Sequence, residues 1–220
     1  MVTVIDTAKN PTFLGTWITP DPTNGADAWP AFAVFNGVRD AVETYAAEAA
    51  RIRASVEYNE YANPALKKQA ALQSFTKTLL DARAARYQPL LDRVAATIAT
   101  NERELTKGAP VNDTRQAAIW GYLGDLDNPD VQRKIEDAVR ISDRETLSAV
   151  LGAPLCFGFI PVASDRTRYA DAFLRMSNPG GYDALVDLRA ALEVAQGAWD
   201  RAQSFIRADA RLAAFESTGA

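Results

Sequence analysis

Apolar residues recur at alternating steps of three and four along three long stretches of this chain, with polar residues between them. In the first, Phe35, Val38, Val42, Tyr45, Ala49, Ile52 and Val56 fall on one stripe, the seam that a helix buries against its neighbours. A second stretch repeats the pattern in two runs: Leu72, Phe75, Leu79 and Ala82, then Tyr87, Leu91, Val94, Ile98 and Leu105. The step from Ala82 to Tyr87 breaks the rhythm just before Pro89, which removes a helical hydrogen bond to Ala85. The pattern therefore predicts a kink or a break there. Asn63-Pro64 separates the two stretches, since asparagine caps a helix and proline fits its first turn. Together they predict an antiparallel helical hairpin that opens at Asp27 or Pro30 and closes at Gly108-Ala109-Pro110. The third stretch, Tyr182 to Phe215, carries Leu185, Leu188, Leu192, Ala195, Trp199, Ala202 and Ile206 and predicts one long C-terminal helix.

Between the hairpin and the last helix the apolar pattern shortens. Asp113 with Gln116 resembles a capping pair before Ile119, Trp120, Leu123 and Leu126. Asn128-Pro129 opens a helix bearing Val131, Ile135 and Val139, and Ser142 with Glu145 reads as a capping box for the next. Leu155 to Val162 reads as a buried core-crossing segment with at most one short strand, and Ser164 or Asp165 as the cap of a helix through Tyr169, Phe173 and Met176. Asn178-Pro179-Gly180-Gly181 reads as a turn.

The first thirty residues differ again. Pro11, Pro20, Pro22 and Pro30 favour extended backbone, yet Val2, Val4, Ile5, Phe13, Leu14, Trp17, Ile18 and Trp29 punctuate the segment. Disordered tails are poor in such residues, so an arm that packs in a groove is expected. The predicted fold class is all-α: a long helical hairpin plus a long C-terminal helix forming a bundle, with a cluster of short helices and an extended N-terminal arm. The expected organisation is an arm over 1–30 and a single helical domain over 31–220. Within that domain 31–108 is the hairpin, 109–178 the short-helix cluster and 179–220 the long C-terminal helix.

Composition changes this picture in three ways. The net charge of −4 argues against nucleic acid as a partner, but 63–108 holds eight basic and four acidic residues. Lys67, Lys68, Arg83, Arg86 and Arg93 thus form a candidate basic contact face. One cysteine among 220 residues excludes an internal disulfide framework. The segment 1–10 lacks the basic start and apolar run of a signal peptide, and the longest nearly apolar run, Ala153 to Ala163, is too short to span a bilayer. A soluble protein without a membrane partner is expected, in the cytoplasm or in a virion.

Histidine is absent altogether, which removes Ser-His-Asp and Cys-His nucleophiles, His-containing zinc sites and the Glu-x-x-His pairs of di-iron bundles. Cys156, flanked by Leu155, Phe157 and Phe159, is expected to be buried and inert. Asp125, Asp127 and Glu136 match part of a calcium loop, but Pro129 and Asp130 occupy its fifth and sixth positions, where a ligand and a glycine belong. Glu57 and Glu60 lie one helical turn apart and would be the acid–base pair of a helical-bundle enzyme, with an exposed helix end as the plainer reading. Gly180-Gly181 lacks the further motif residues of a phosphate loop. Arg201, Arg207 and Arg211, with Gln203, would suit a phosphate or an acidic partner, but Asp200 and Asp209 between them favour an ordinary charged face.

Neither catalytic residues, nor a metal, nor a cofactor, nor a small-molecule substrate is expected from these patterns. They favour a structural or assembly protein: a helical subunit that associates with copies of itself or other subunits, as virion and phage-particle components do. Its arm would clasp a neighbour through Phe13, Trp17, Ile18 and Trp29, aromatic residues being the usual anchors of interfaces. The competing expectations are an adaptor binding an acidic partner through the basic face, and a histidine-free enzyme using Glu57 and Glu60.

Overall fold

The computed structural model describes residues 11–17, 25–106 and 113–212. Among these it contains seven α-helices and no strand: α1 (Trp29–Ala54), α2 (Pro64–Thr106), α3 (Asp113–Gly124), α4 (Asn128–Arg140), α5 (Arg144–Gly152), α6 (Ala163–Ser177) and α7 (Pro179–Leu212). The fold is the all-α bundle that the hydrophobic pattern predicts. Two compact units divide it, the first comprising residues up to Thr97 together with those from Leu188, the second spanning Ile98–Asp187.

The first unit is built on three long helices. On α1 the stripe from Phe35 to Ile52 is buried, as its spacing requires. Val56 does not continue it: the backbone turns extended at Ser55, a 3-10 turn follows over Glu57–Glu60, and Val56 is 73% exposed. The Asn63 side chain then caps α2 by accepting from the Leu66 N–H at 3.1 Å, as its position before Pro64 predicts.

Helix α2 runs unbroken through Pro89. Pro89 and Ala85 are both exposed, so water can satisfy the carbonyl that proline leaves without its helical donor. The buried face does not slip either. Leu72, Thr76, Leu80, Tyr87, Leu91, Val94 and Ile98 keep steps of three and four, with half-buried Arg83 and Ala84 filling the turn between Leu80 and Tyr87. Counting apolar residues alone selects half-buried Phe75 and exposed Ala82, which lie beside this stripe, and passes over Thr76, a polar residue within it.

Contacts along the helices fix their directions. Lys68, early on α2, donates to the Arg53 carbonyl at the end of α1. Tyr87 packs edge-on against Trp199 of α7, and a Cβ on Gly37 of α1 would fall 2.7 Å from the Tyr87 hydroxyl, so glycine permits this approach. Tyr45 of α1 donates to Asp209 of α7 at 2.7 Å. Helices α1 and α7 therefore run the same way and α2 runs against them.

The second unit is stitched differently. Asp127 caps α4 by accepting from the Asp130 N–H, and Asp143 caps α5 by accepting from the Thr146 N–H and hydroxyl. The cap of α5 is thus Asp143 and not Ser142, which adopts a left-handed φ of 60° just before it. Side chains also reach backbone carbonyls: Trp120 donates to Ala149, Gln132 to Phe159 and Arg166 to Leu151. Neither Ser164 nor Asp165 caps α6, since both lie inside a helix that starts at Ala163 without a side-chain cap.

The predicted core-crossing segment is instead a 3-10 turn over Leu155–Phe157 followed by irregular chain. Phe159 is buried there, while Cys156 and Phe157 are exposed. Phe157 stacks between Trp120 and Phe159, so aromatic neighbours rather than the core hold it. Finally, Gly180 and Gly181 lie in the first turn of α7 rather than in a turn before it, and Asn178 accepts from the Gly181 N–H. The predicted hairpin close at Gly108-Ala109-Pro110, and the Leu105 and Phe215 side chains, lie outside what the structure describes.

Candidate functional site

Residues 11–17 of the arm lie on α1 and α7 of their own chain. Phe13 stacks obliquely on Phe205 at 5.3 Å between ring centres. Trp17 meets Phe32 and Phe35 of α1 at 5.2 and 5.5 Å, and Leu14 between them is buried. One polar contact fixes the segment: Arg201 donates to the Leu14 carbonyl at 2.6 Å. Gly15 follows with φ of 91°, a left-handed conformation that favours glycine, and a Cβ there would come 2.9 Å from the same guanidinium. The indole N–H of Trp17 is buried without a hydrogen-bond partner among the described residues, a polar cost in an otherwise apolar seat. Of the predicted anchors, Phe13 and Trp17 share this groove, Trp29 begins α1 as a half-buried residue, and Ile18 lies outside the described residues. Sequence reading singled out Arg201 only for a phosphate or an acidic partner and missed its contact with the arm, which depends on a carbonyl 187 residues away.

The candidate basic residues do not gather. Lys67 lies over the Tyr61 ring at 4.9 Å, Lys68 is bound to the Arg53 carbonyl, Arg83 is half-buried, and Arg86 and Arg93 are exposed. At a rise of about 1.5 Å per residue, Lys68 and Arg93 stand roughly 38 Å apart along α2. Glu57 and Glu60 lie in the exposed 3-10 turn rather than on an α-helix, with the Tyr58 and Tyr61 rings paired beside them. Three of the acids in the stretch that resembles a calcium loop are otherwise engaged. Asp127 caps α4, Asp130 pairs with Arg133, and Glu136 binds both Arg168 and the Tyr169 hydroxyl. Among the described residues no group of three or more His, Cys, Asp or Glu is arranged to hold a metal ion. Nor is any helix there long and apolar enough to cross a membrane.

Two further features lie in the first unit. At the far end of α1, the Asp209 carboxylate accepts from the Tyr45 hydroxyl and from Arg53, each at 2.7 Å. Burial, with Asp209 as acceptor, pushes the Tyr45 hydroxyl well above the ordinary tyrosine value. Beside it, between α2 and α7, lies a cavity of about 310 Å³ lined by Gln73, Thr76, Lys77, Leu80, Asp81, Arg207, Ala210 and Arg211. The three cations come from two helices, and sequence alone shows Arg207 and Arg211 only as alternating with acids. No protein-family model matches the chain, and no curated protein or solved structure matches it either.

Proposed function

We propose that this chain is a non-enzymatic helical assembly subunit whose N-terminal segment seats in the α1–α7 groove of a neighbouring copy. The observation that carries the reading is the construction of that groove. Phe32, Phe35, Phe205 and Arg201 make their contacts with a short segment that opens on a single 3-10 turn over Pro11–Leu14. A seat of this kind accepts the same residues from its own chain or from a second one, because the contacts are identical; exchange of such an element is a low-cost route to oligomers. Residues 18–28 join the segment to α1, and eleven residues fully extended span at most about 40 Å, enough to cross between subunits. The aromatic anchors supply the buried area that such an interface concentrates at few positions.

Native mass measurements test this. The intact chain is expected as an oligomer, and a Phe13→Ala, Trp17→Ala variant that keeps its helical circular dichroism is expected as a monomer. An intact chain that stays monomeric up to its solubility limit overturns the proposal.

A further inference from the structure

We infer that the cavity between α2 and α7 is a binding site for a phosphomonoester anion. Its walls are formed by two helices of one compact unit, both with buried faces along this stretch. Arg207 and Arg211 stand one turn apart on α7, and Lys77 faces the same space from α2. Asp81 is the single acid in the lining, so the formal charge there is +2. That matches a phosphomonoester, which carries close to two negative charges at neutral pH.

The donors suit such a ligand as well. Guanidinium groups offer planar forks that meet phosphate oxygens in pairs, and a lysine adds a mobile point charge. Arg207 spends one nitrogen on Gln203 of its own helix, at 2.9 Å, which steadies the side chain and leaves its other donors. Neither Lys77 nor Arg211 is held by a hydrogen bond or ion pair among the described residues, and Asp81 does not neutralise either of them there. Gln73 adds an amide at the rim. The floor is largely apolar: Leu80 is 6% exposed and Ala210 is 3% exposed, with Thr76, 7% exposed, as the buried polar residue beside them. A charged head bound by the rim with a small apolar body on the floor is the shape this lining fits. The volume stands at the lower end of small-molecule sites, which favours a compact ligand over a nucleotide.

A titration of the full chain with phenyl phosphate, followed by amide resonances, tests the inference. Saturable shifts are expected at residues near 77–81 and 207–211. Affinity is expected to fall about tenfold or more in Arg207→Gln, Arg211→Gln, whose positions are exposed, because each charged contact is worth about that much. Asp81→Asn removes the one opposing charge and is expected to tighten binding, a gain that a damaged fold does not produce. The same spectra report whether each variant keeps its fold. Shifts that do not saturate, that are unchanged in the double arginine variant, or that spread equally over Lys67, Arg86 and Arg93 overturn the site.

Discussion

Helix α1 of the first unit starts without a side-chain cap and still runs 26 residues, whereas α4 and α5 of the second run 13 and 9 and each begin on a capping aspartate. The contrast follows from the cost of starting a helix. Nucleation fixes several residues for one hydrogen bond, and a long helix repays it over many turns of buried face. Val34, Val38, Ala41, Val42, Tyr45, Ala49 and Ile52 supply those turns on α1. A nine-residue helix buries only Leu147, Ala149 and Val150, so its ends count for more of its stability. The long α1 of the first unit is held by a repeated stripe, whereas the short α4 and α5 of the second lean as well on their capping aspartates.

The largest test of this contrast lies in the stripes. Ile206→Ala in the first unit removes a fully buried side chain and is expected to cost about 2–5 kcal/mol in urea unfolding. A cost below about 1 kcal/mol would break the claim that the stripe holds that unit. A smaller effect is expected at the caps: Asp143→Ala strips α5 of its capping acceptor and should cost about 1 kcal/mol. No loss there would remove the distinction between the units. The smallest effect at ordinary pH concerns the tyrosines. Tyr45 and Tyr87 in the first unit and Tyr169 in the second all have hydroxyls raised by burial. A raised folded value means that their stabilisation is fully present below the unfolded value of 10.0 and is lost as pH climbs through the folded one. Stability is therefore expected to be flat in these groups through neutral pH and to fall in alkali. Tyr45→Phe should blunt that fall at probes in the first unit and Tyr169→Phe at probes in the second. A loss that sets in near neutrality, or one that neither variant alters, contradicts the assignment.

Much of the first unit could be read from spacing because a long amphipathic helix writes its buried face into the chain many times over. Asn63 and Pro64 likewise mark the start of α2 with a local chemistry that needs no distant partner. The apparent slip before Pro89 arose where the buried face passes through Thr76, since a count of apolar residues cannot see a polar one in the core. The error at Cys156 is of the opposite kind: an apolar run looks buried, yet a 3-10 turn rotates its side chains outward and leaves neighbouring rings to cover part of it. Ser142 and Asp143 are both good caps, and only the backbone decides between them. The groove for the arm and the cavity of three cations were illegible for a common reason. Arg201 meets Leu14, and Lys77 comes to line one cavity with Arg207, only after segments far apart in the chain have come together.

The bond between Tyr45 and Asp209 has a consequence for which arrangement of the three helices is occupied. Apolar stripes are permissive, because one helix can slide past another by a turn, about 5.4 Å, and still bury similar surface. Such a slide would carry the Tyr45 hydroxyl away from its carboxylate and strand a buried donor, at about 1–3 kcal/mol. It would also part Arg53 from the same acid. One tyrosine thus acts as a key for the bundle: it adds little to the attraction between α1 and α7, and it makes every neighbouring alignment the wrong one.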